Sequence, residues 1–153
     1  MRKEAKRLMI YIDRITNICT SDYDEVWWIV RSPDILPQKE KLIQSLSPSR
    51  ELFLRYREAF HAEQFGPEFF QNVYVPQFIA ELAKNKEAEA DLNYLCRESS
   101  RRNIVLGCYC EDEELCHRSI IAGILLGMGA EIQTNQEYRK YYEMLCRTCF
   151  IQL

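Results

Sequence analysis

NIVLGCYCEDEELCHRSIIAGILLGMG, residues 103–129, decides the fold. Ile104 to Tyr109 is a short, continuous apolar run, the pattern of a strand buried on both faces. From His117 onward a longer apolar run reads as a helix, and Glu111 to Glu114 make the turn between them polar. A strand that feeds a helix belongs to a crossover unit, the connection that parallel strands require.

Outward from this stretch, EVWWIVRS (25–32) follows the polar SDYDE turn and is ended by Pro33, so it reads as a second buried strand. The first 30 residues stay open between two readings. Leu8, Ile12, Ile15 and Cys19 recur at helical spacing, yet LMIYIDRIT has the β-branched and aromatic density of a strand. Between the two strands the pattern is helical. Ser47 is the expected N-cap, with Pro48 at the first helical position of PSRELFLRYREAFHAEQF (48–65), and Gly66-Pro67-Glu68 opens a second helix in the same manner. Pro76 is expected to kink or break that helix, KNKEAEADLNYLCRESS (84–100) forms a third, and NQEYRKYYEMLCRTC (135–149) a last amphipathic one. The expected fold is α/β: a single domain over residues 1–153, with a small, mostly parallel sheet and helices on both faces.

At 153 residues the chain suits one domain, and its 47% hydrophobic and 28% charged content is that of a globular protein. No apolar run approaches the roughly 20 residues that span a membrane. Twenty basic and 23 acidic residues are scattered and give a net charge of −3, which excludes a dedicated nucleic-acid surface. Seven cysteines without an export signal point to a reducing compartment, the cytoplasm, and their odd number forbids complete internal pairing. Oligomeric state is not readable from these features.

Open α/β sheets bind ligands beyond the carboxyl ends of their strands, beside the helix N-termini that follow. Cys116, His117, Arg118 and Ser119 are expected in such a first turn, where free amides and the helix dipole favour an anion and lower a thiol's pKa. Cys116 and His117 are the candidate catalytic pair, and Arg118 and Ser119 are donors for an anion. Glu111, nearest the strand end, is expected to turn inward, whereas Asp112 to Glu114 form a solvated tip. The alternative is a zinc or iron–sulfur site drawn from Cys108, Cys110, Cys116, His117, Cys146 and Cys149. Against it, Cys116 and His117 are adjacent and diverge at a helix start, so no metal is favoured and the cofactor stays unknown. A cysteine separated by five residues from an arginine, as phosphatase chemistry of that type needs, does not occur here. Trp27 and Trp28 are expected to divide between the core and a covered sheet face, and His61 to be partly buried. Tyr138, Tyr141 and Tyr142 fit a helix covering the sheet.

Three stretches carry a family resemblance. LGCYCEDEELCHRSIIAGILLGMGAEI (106–132) resembles the signature of the domain-of-unknown-function family 488, in which a strand ends in cysteine and Cys-His-Arg opens a helix. EVWWIVRSPDILP (25–37) resembles that family's strand ending in arginine. SPSRELF (47–53) with FFQNVYVPQFIAEL (69–82) resembles helices of its YeaO-like branch. The resemblance implies an α/β fold, makes Cys108, Cys116, His117 and Arg118 the motif positions, and gives Arg31 the place of the strand-end arginine. This chain departs from the family's pattern at Cys110, where a glutamate is common, and at Ile29, where an aspartate is common. With Arg31 near Arg118 a phosphate or carboxylate pocket follows. The expected function is binding of a small anionic molecule, with a nucleotide as the leading candidate, together with thiol or histidine acid/base catalysis. The competing class is a non-catalytic metal or redox-sensing module.

Overall fold

The computed structural model describes residues 6–32 and 39–151. Pro33 and the basic residues Arg2 and Lys3 lie outside them. Four strands, β1 (Ile10–Arg14), β2 (Glu25–Trp28), β3 (Lys41–Leu42) and β4 (Ile104–Cys108), form an all-parallel sheet in the order β1-β4-β2-β3. Every residue of β2 and β4 is buried, which is why, Glu25 apart, both read as continuous apolar runs rather than alternating ones. The ambiguous N-terminal region resolves as strand: Ile10 and Ile12 pair with Ile104 and Leu106. Only 3-10 turns follow it, Ile15–Asn17 and Thr20–Asp22.

Helix α1 (Arg50–His61) starts two residues later than expected. Its cap is Ser49, whose Oγ accepts from the Leu52 amide at 3.1 Å and is itself held by Glu81. The Ser47 hydroxyl is already committed to the Gln44 carbonyl, so Pro48 precedes the cap instead of following it. Helix α2 (Pro67–Phe69) opens as expected, with Gly66 at the cap and Pro67 next. It runs through a π-helical stretch, Phe70–Tyr74, into α3 (Val75–Lys84). Pro76 lacks the N–H that would reach back four residues to Asn72, and the wider π turn absorbs the defect without breaking the helix. Helix α4 (Lys86–Glu98) is capped by Asn85, α5 is His117–Met128 and α6 is Lys140–Ile151.

Trp27 stacks on Tyr94 of α4 at 5.6 Å, and α5 packs against β1 and β4. Trp28 covers Gly107 on the opposite face, where Ile18, between the two 3-10 turns, also packs. Both tryptophans are buried, at 2% and 7% exposure. Helix α5 is buried along its first nine residues because α6 and the turn before it close over it. Gly123 permits this: a Cβ there would stand 1.9 Å from the Tyr138 carbonyl oxygen. Tyr138 and Tyr141 are buried and Tyr142 is half-buried, in keeping with a covering helix. His61, expected to be partly buried, is exposed, because α1 buries only Leu52 and Ala59. Among the described residues no helix is long and apolar enough to cross a membrane.

Candidate functional site

Strands β2 and β4 are neighbours whose outgoing chains part. After β2 the chain moves to β3 at one edge; after β4 it passes through α5 to Ile132, which bridges to Ile10 on the far side of β1. Such a parting opens a crevice beyond the carboxyl ends of the two strands. Ile29, Val30 and Arg31 enter it from β2, tied to β4 by the Ile29 amide on the Gly107 carbonyl at 3.0 Å, and Tyr109 and Cys110 enter it from β4.

Four donor groups converge there. The sulfurs of Cys108, Cys110 and Cys116 and one ring nitrogen of His117 all lie within 4.8 Å of one another. Cys108 Sγ and Cys116 Sγ are 2.9 Å apart, and Cys116 Sγ is 3.7 Å from His117 Nδ1. The expected divergence of Cys116 and His117 does not occur. Cys116 is the N-cap, with extended backbone (φ −129°, ψ 147°), so its side chain does not follow the helical phase of its neighbour. His117 Nε2 lies 2.6 Å from the Ile29 carbonyl oxygen, which can only accept. In the neutral ring the proton therefore sits on Nε2, and the Nδ1 lone pair faces the sulfurs.

Arg118, 4% exposed, donates from Nη1 to Cys108 Sγ at 3.3 Å and to the Cys110 carbonyl at 3.0 Å. Among the described residues no carboxylate pairs with it, and its Nε has no partner. Hydrogen bonds from the Cys110 and Cys116 thiols, aided by the Arg118 charge, overcome burial and hold the Cys108 thiol far below the usual range. Its bond to Cys108 pushes the Cys110 thiol up, and burial raises Cys116 further. Of the three thiols, Cys108 is thus the one shifted toward the thiolate, and it is the one in contact with Arg118. Cys116, expected to have a lowered pKa from the helix dipole, has a raised one instead, since burial among thiols outweighs the dipole.

A cavity of about 640 Å³ opens onto this cluster, within the size range of small-molecule sites. Cys110, Cys116 and His117 form part of its wall, whereas Cys108 and Arg118 lie behind it. Arg50, Phe53, Leu54 and Arg57 line it from α1, at the three- and four-residue spacing of one helix face. Phe53 and Leu54 remain 39% and 43% exposed, so that face is not consumed by core packing. Tyr56, Tyr74 and Tyr109 add aromatic wall, and Arg31 a third guanidinium, bonded to the Pro48 carbonyl at 3.3 Å. No carboxylate lines the cavity among the described residues.

Of the residues expected at the site, Arg31, Cys108, Cys110, Cys116, His117 and Arg118 come together, with Arg31 on the cavity wall and Arg118 under the sulfurs. Glu111 does not turn inward: its side chain is 82% exposed and pairs with Arg14 at 3.3 Å. Ser119 is fully buried and donates to the Cys116 carbonyl at 2.8 Å, closing the first turn of α5 rather than offering a ligand contact. Cys146 and Cys149 are exposed and take no part in the cluster. Arg50, Arg57 and the tyrosine wall were not expected; the Arg50-x2-Phe53-Leu54-x2-Arg57 spacing is their one mark in the sequence.

The model of the family DUF488-N3a, described as the active DUF488-N3 subclade, matches residues 10–129. Neither a curated protein nor a solved structure matches the chain. The matched span runs from β1 through the end of α5 and holds every residue of the cluster and the cavity wall. The chain belongs to the DUF488 family.

Proposed function

We propose that the cavity binds a small molecule that joins an anionic group to a planar ring, a nucleoside monophosphate being the class that fits, and that the thiol–imidazole cluster at its inner end is the reactive centre. The observation that carries this reading is the wall itself: Arg31, Arg50 and Arg57 with aromatic side chains between them and no described carboxylate. Arg50 and Arg57 pair with no carboxylate among the described residues, so their donors are available to an anion. Guanidinium forks suit phosphate, and a base can stack on the tyrosines and Phe53. The cavity reaches Cys116 and His117, so a bound molecule meets sulfur and imidazole groups at its inner end, and the family model's description as an active subclade accords with catalysis. A module that only senses metal or redox state has no use for an arginine-lined cavity opening onto its thiols.

Isothermal titration with nucleoside monophosphates and their parent nucleosides tests the reading. Monophosphates should bind and nucleosides should bind far more weakly. Arg50→Ala and Arg57→Ala should each weaken the monophosphate about 10- to 100-fold, the value of a hydrogen bond to a charged group. Equal affinity in the variants, or no binding at millimolar ligand, overturns it.

A further inference from the structure

One thiol of the cluster lies beyond the reach of the cavity. Cys108 is fully buried and absent from the cavity wall, a poor placement for a free nucleophile but a good one for a fixed ligand. We propose that Cys108, Cys110, Cys116 and His117 together bind one zinc ion, with Arg118 as the counter-charge beneath it. Three sulfurs and one imidazole nitrogen are a tetrahedral zinc donor set. Bond lengths of about 2.3 Å to sulfur and about 2.0 Å to nitrogen imply donor separations of about 3.5–3.8 Å. The Cys116 to His117 separation of 3.7 Å is already of that size, and the shorter Cys108 to Cys116 contact of 2.9 Å needs to open by about 1 Å.

The surroundings match as well. A metal-bound histidine gives its other ring nitrogen to a carbonyl or carboxylate, and His117 gives Nε2 to the Ile29 carbonyl, leaving Nδ1 toward the sulfurs. Three thiolates and a neutral imidazole on a dication leave one negative charge, and the buried Arg118 at Cys108 Sγ neutralises it. No carboxylate enters the cluster, which argues against magnesium or calcium. The four donor atoms lie within 4.8 Å of one another, a spread that a single ion can draw together. Cys108, Cys116 and His117 are buried ligands, whereas Cys110 is half-buried on the cavity wall, the position at which a bound molecule approaches the metal.

The test uses the whole chain, produced without an affinity tag and purified without chelator under reducing conditions. Elemental analysis should find about one zinc per chain, and replacement by cobalt should give thiolate-to-metal charge-transfer bands with tetrahedral d–d absorption. Cys110→Ser and Cys108→Ser should lose stoichiometric metal, the double variant Cys146→Ser/Cys149→Ser should keep it, and Arg118→Met should weaken zinc about 10- to 100-fold. The cobalt spectrum of the unaltered chain keeps the test decisive should a cysteine variant fail to fold. Protein that stays metal-free after zinc addition, iron in place of zinc, an octahedral cobalt spectrum, or a Cys108–Cys116 disulfide in freshly isolated protein overturns the proposal. Nucleotide titration is read separately, so loss of one result leaves the other standing.

Discussion

Arg118→Met puts a sign, not only a size, on the charge of the cysteine cluster. Arg118 is buried, has no described carboxylate partner, and spends its Nη1 on Cys108 Sγ and the Cys110 carbonyl. If the cluster is an anion, as a thiolate or as a thiolate-rich metal centre, the substitution strands that anion in the interior. Removing one member of a buried charge pair costs about 3–5 kcal/mol. In a domain of this size each kcal/mol moves the melting temperature by about 2–4 °C, so a fall of about 6–20 °C is expected. If the cluster is neutral, Arg118 is a desolvated cation with little return, and methionine, of similar length, should be neutral or stabilising by about 1–4 kcal/mol. Urea and thermal denaturation at neutral pH with reductant, followed by circular dichroism, measure the difference. Arg14→Met is the control, since its exposed pairing with Glu111 is worth about 1 kcal/mol or less. An unchanged or raised melting temperature in Arg118→Met refutes the anionic cluster.

Glu25 is buried beneath Lys41, Tyr94 and Trp27, and although burial alone would raise its pKa, their hydrogen bonds and the Lys41 charge lower it. A lowered pKa contributes stability above the unfolded carboxyl value, about 4.3, that is lost as pH falls through the folded one. Glu25→Gln should therefore destabilise at neutral pH and converge with the native chain in acid; a gap independent of pH in urea titrations would contradict this. Gly123→Ala drives a methyl into the Tyr138 backbone and should cost about 1–3 kcal/mol by urea midpoint, whereas Gly66→Ala, with nothing within 4 Å, should cost far less. Ser119→Ala should lower stability by about 1 kcal/mol while leaving nucleotide affinity in calorimetry unchanged, because its hydroxyl serves the Cys116 carbonyl.

Strand β4 and helix α5 were legible because burial on both faces, or all round, leaves a continuous apolar run of a length that separates strand from helix. The N-terminal strand was not, since four half-buried positions in five blur both periods. The α1 cap misled for a local reason: two serines flank Pro48, and only the Glu81 contact and the Gln44 turn decide which one caps. At the site, Cys116, His117 and Arg118 announced themselves through the helix start. Their convergence with Cys108 and Cys110 depends on the extended backbone at Cys116, which adjacency in sequence does not reveal. The Arg50–Arg57 face looks in sequence like any solvated helix surface, and only the placement of α1 beside the sheet end turns it toward a cavity. Glu111 was misjudged because its partner, Arg14, comes from β1, far away in the chain.

The place where an anionic ring compound sits on the chain is the most direct test of the cavity's role. A crystal structure of the chain with 5-bromouridine monophosphate locates the base through bromine's anomalous signal and the phosphate through density. The bromine should lie among Phe53, Tyr56, Tyr74 and Tyr109, with phosphate oxygens about 3 Å from guanidinium nitrogens of Arg31, Arg50 or Arg57. A bromine peak outside this cavity, or an unoccupied cavity at saturating ligand, would refute nucleotide binding between α1 and the sheet end.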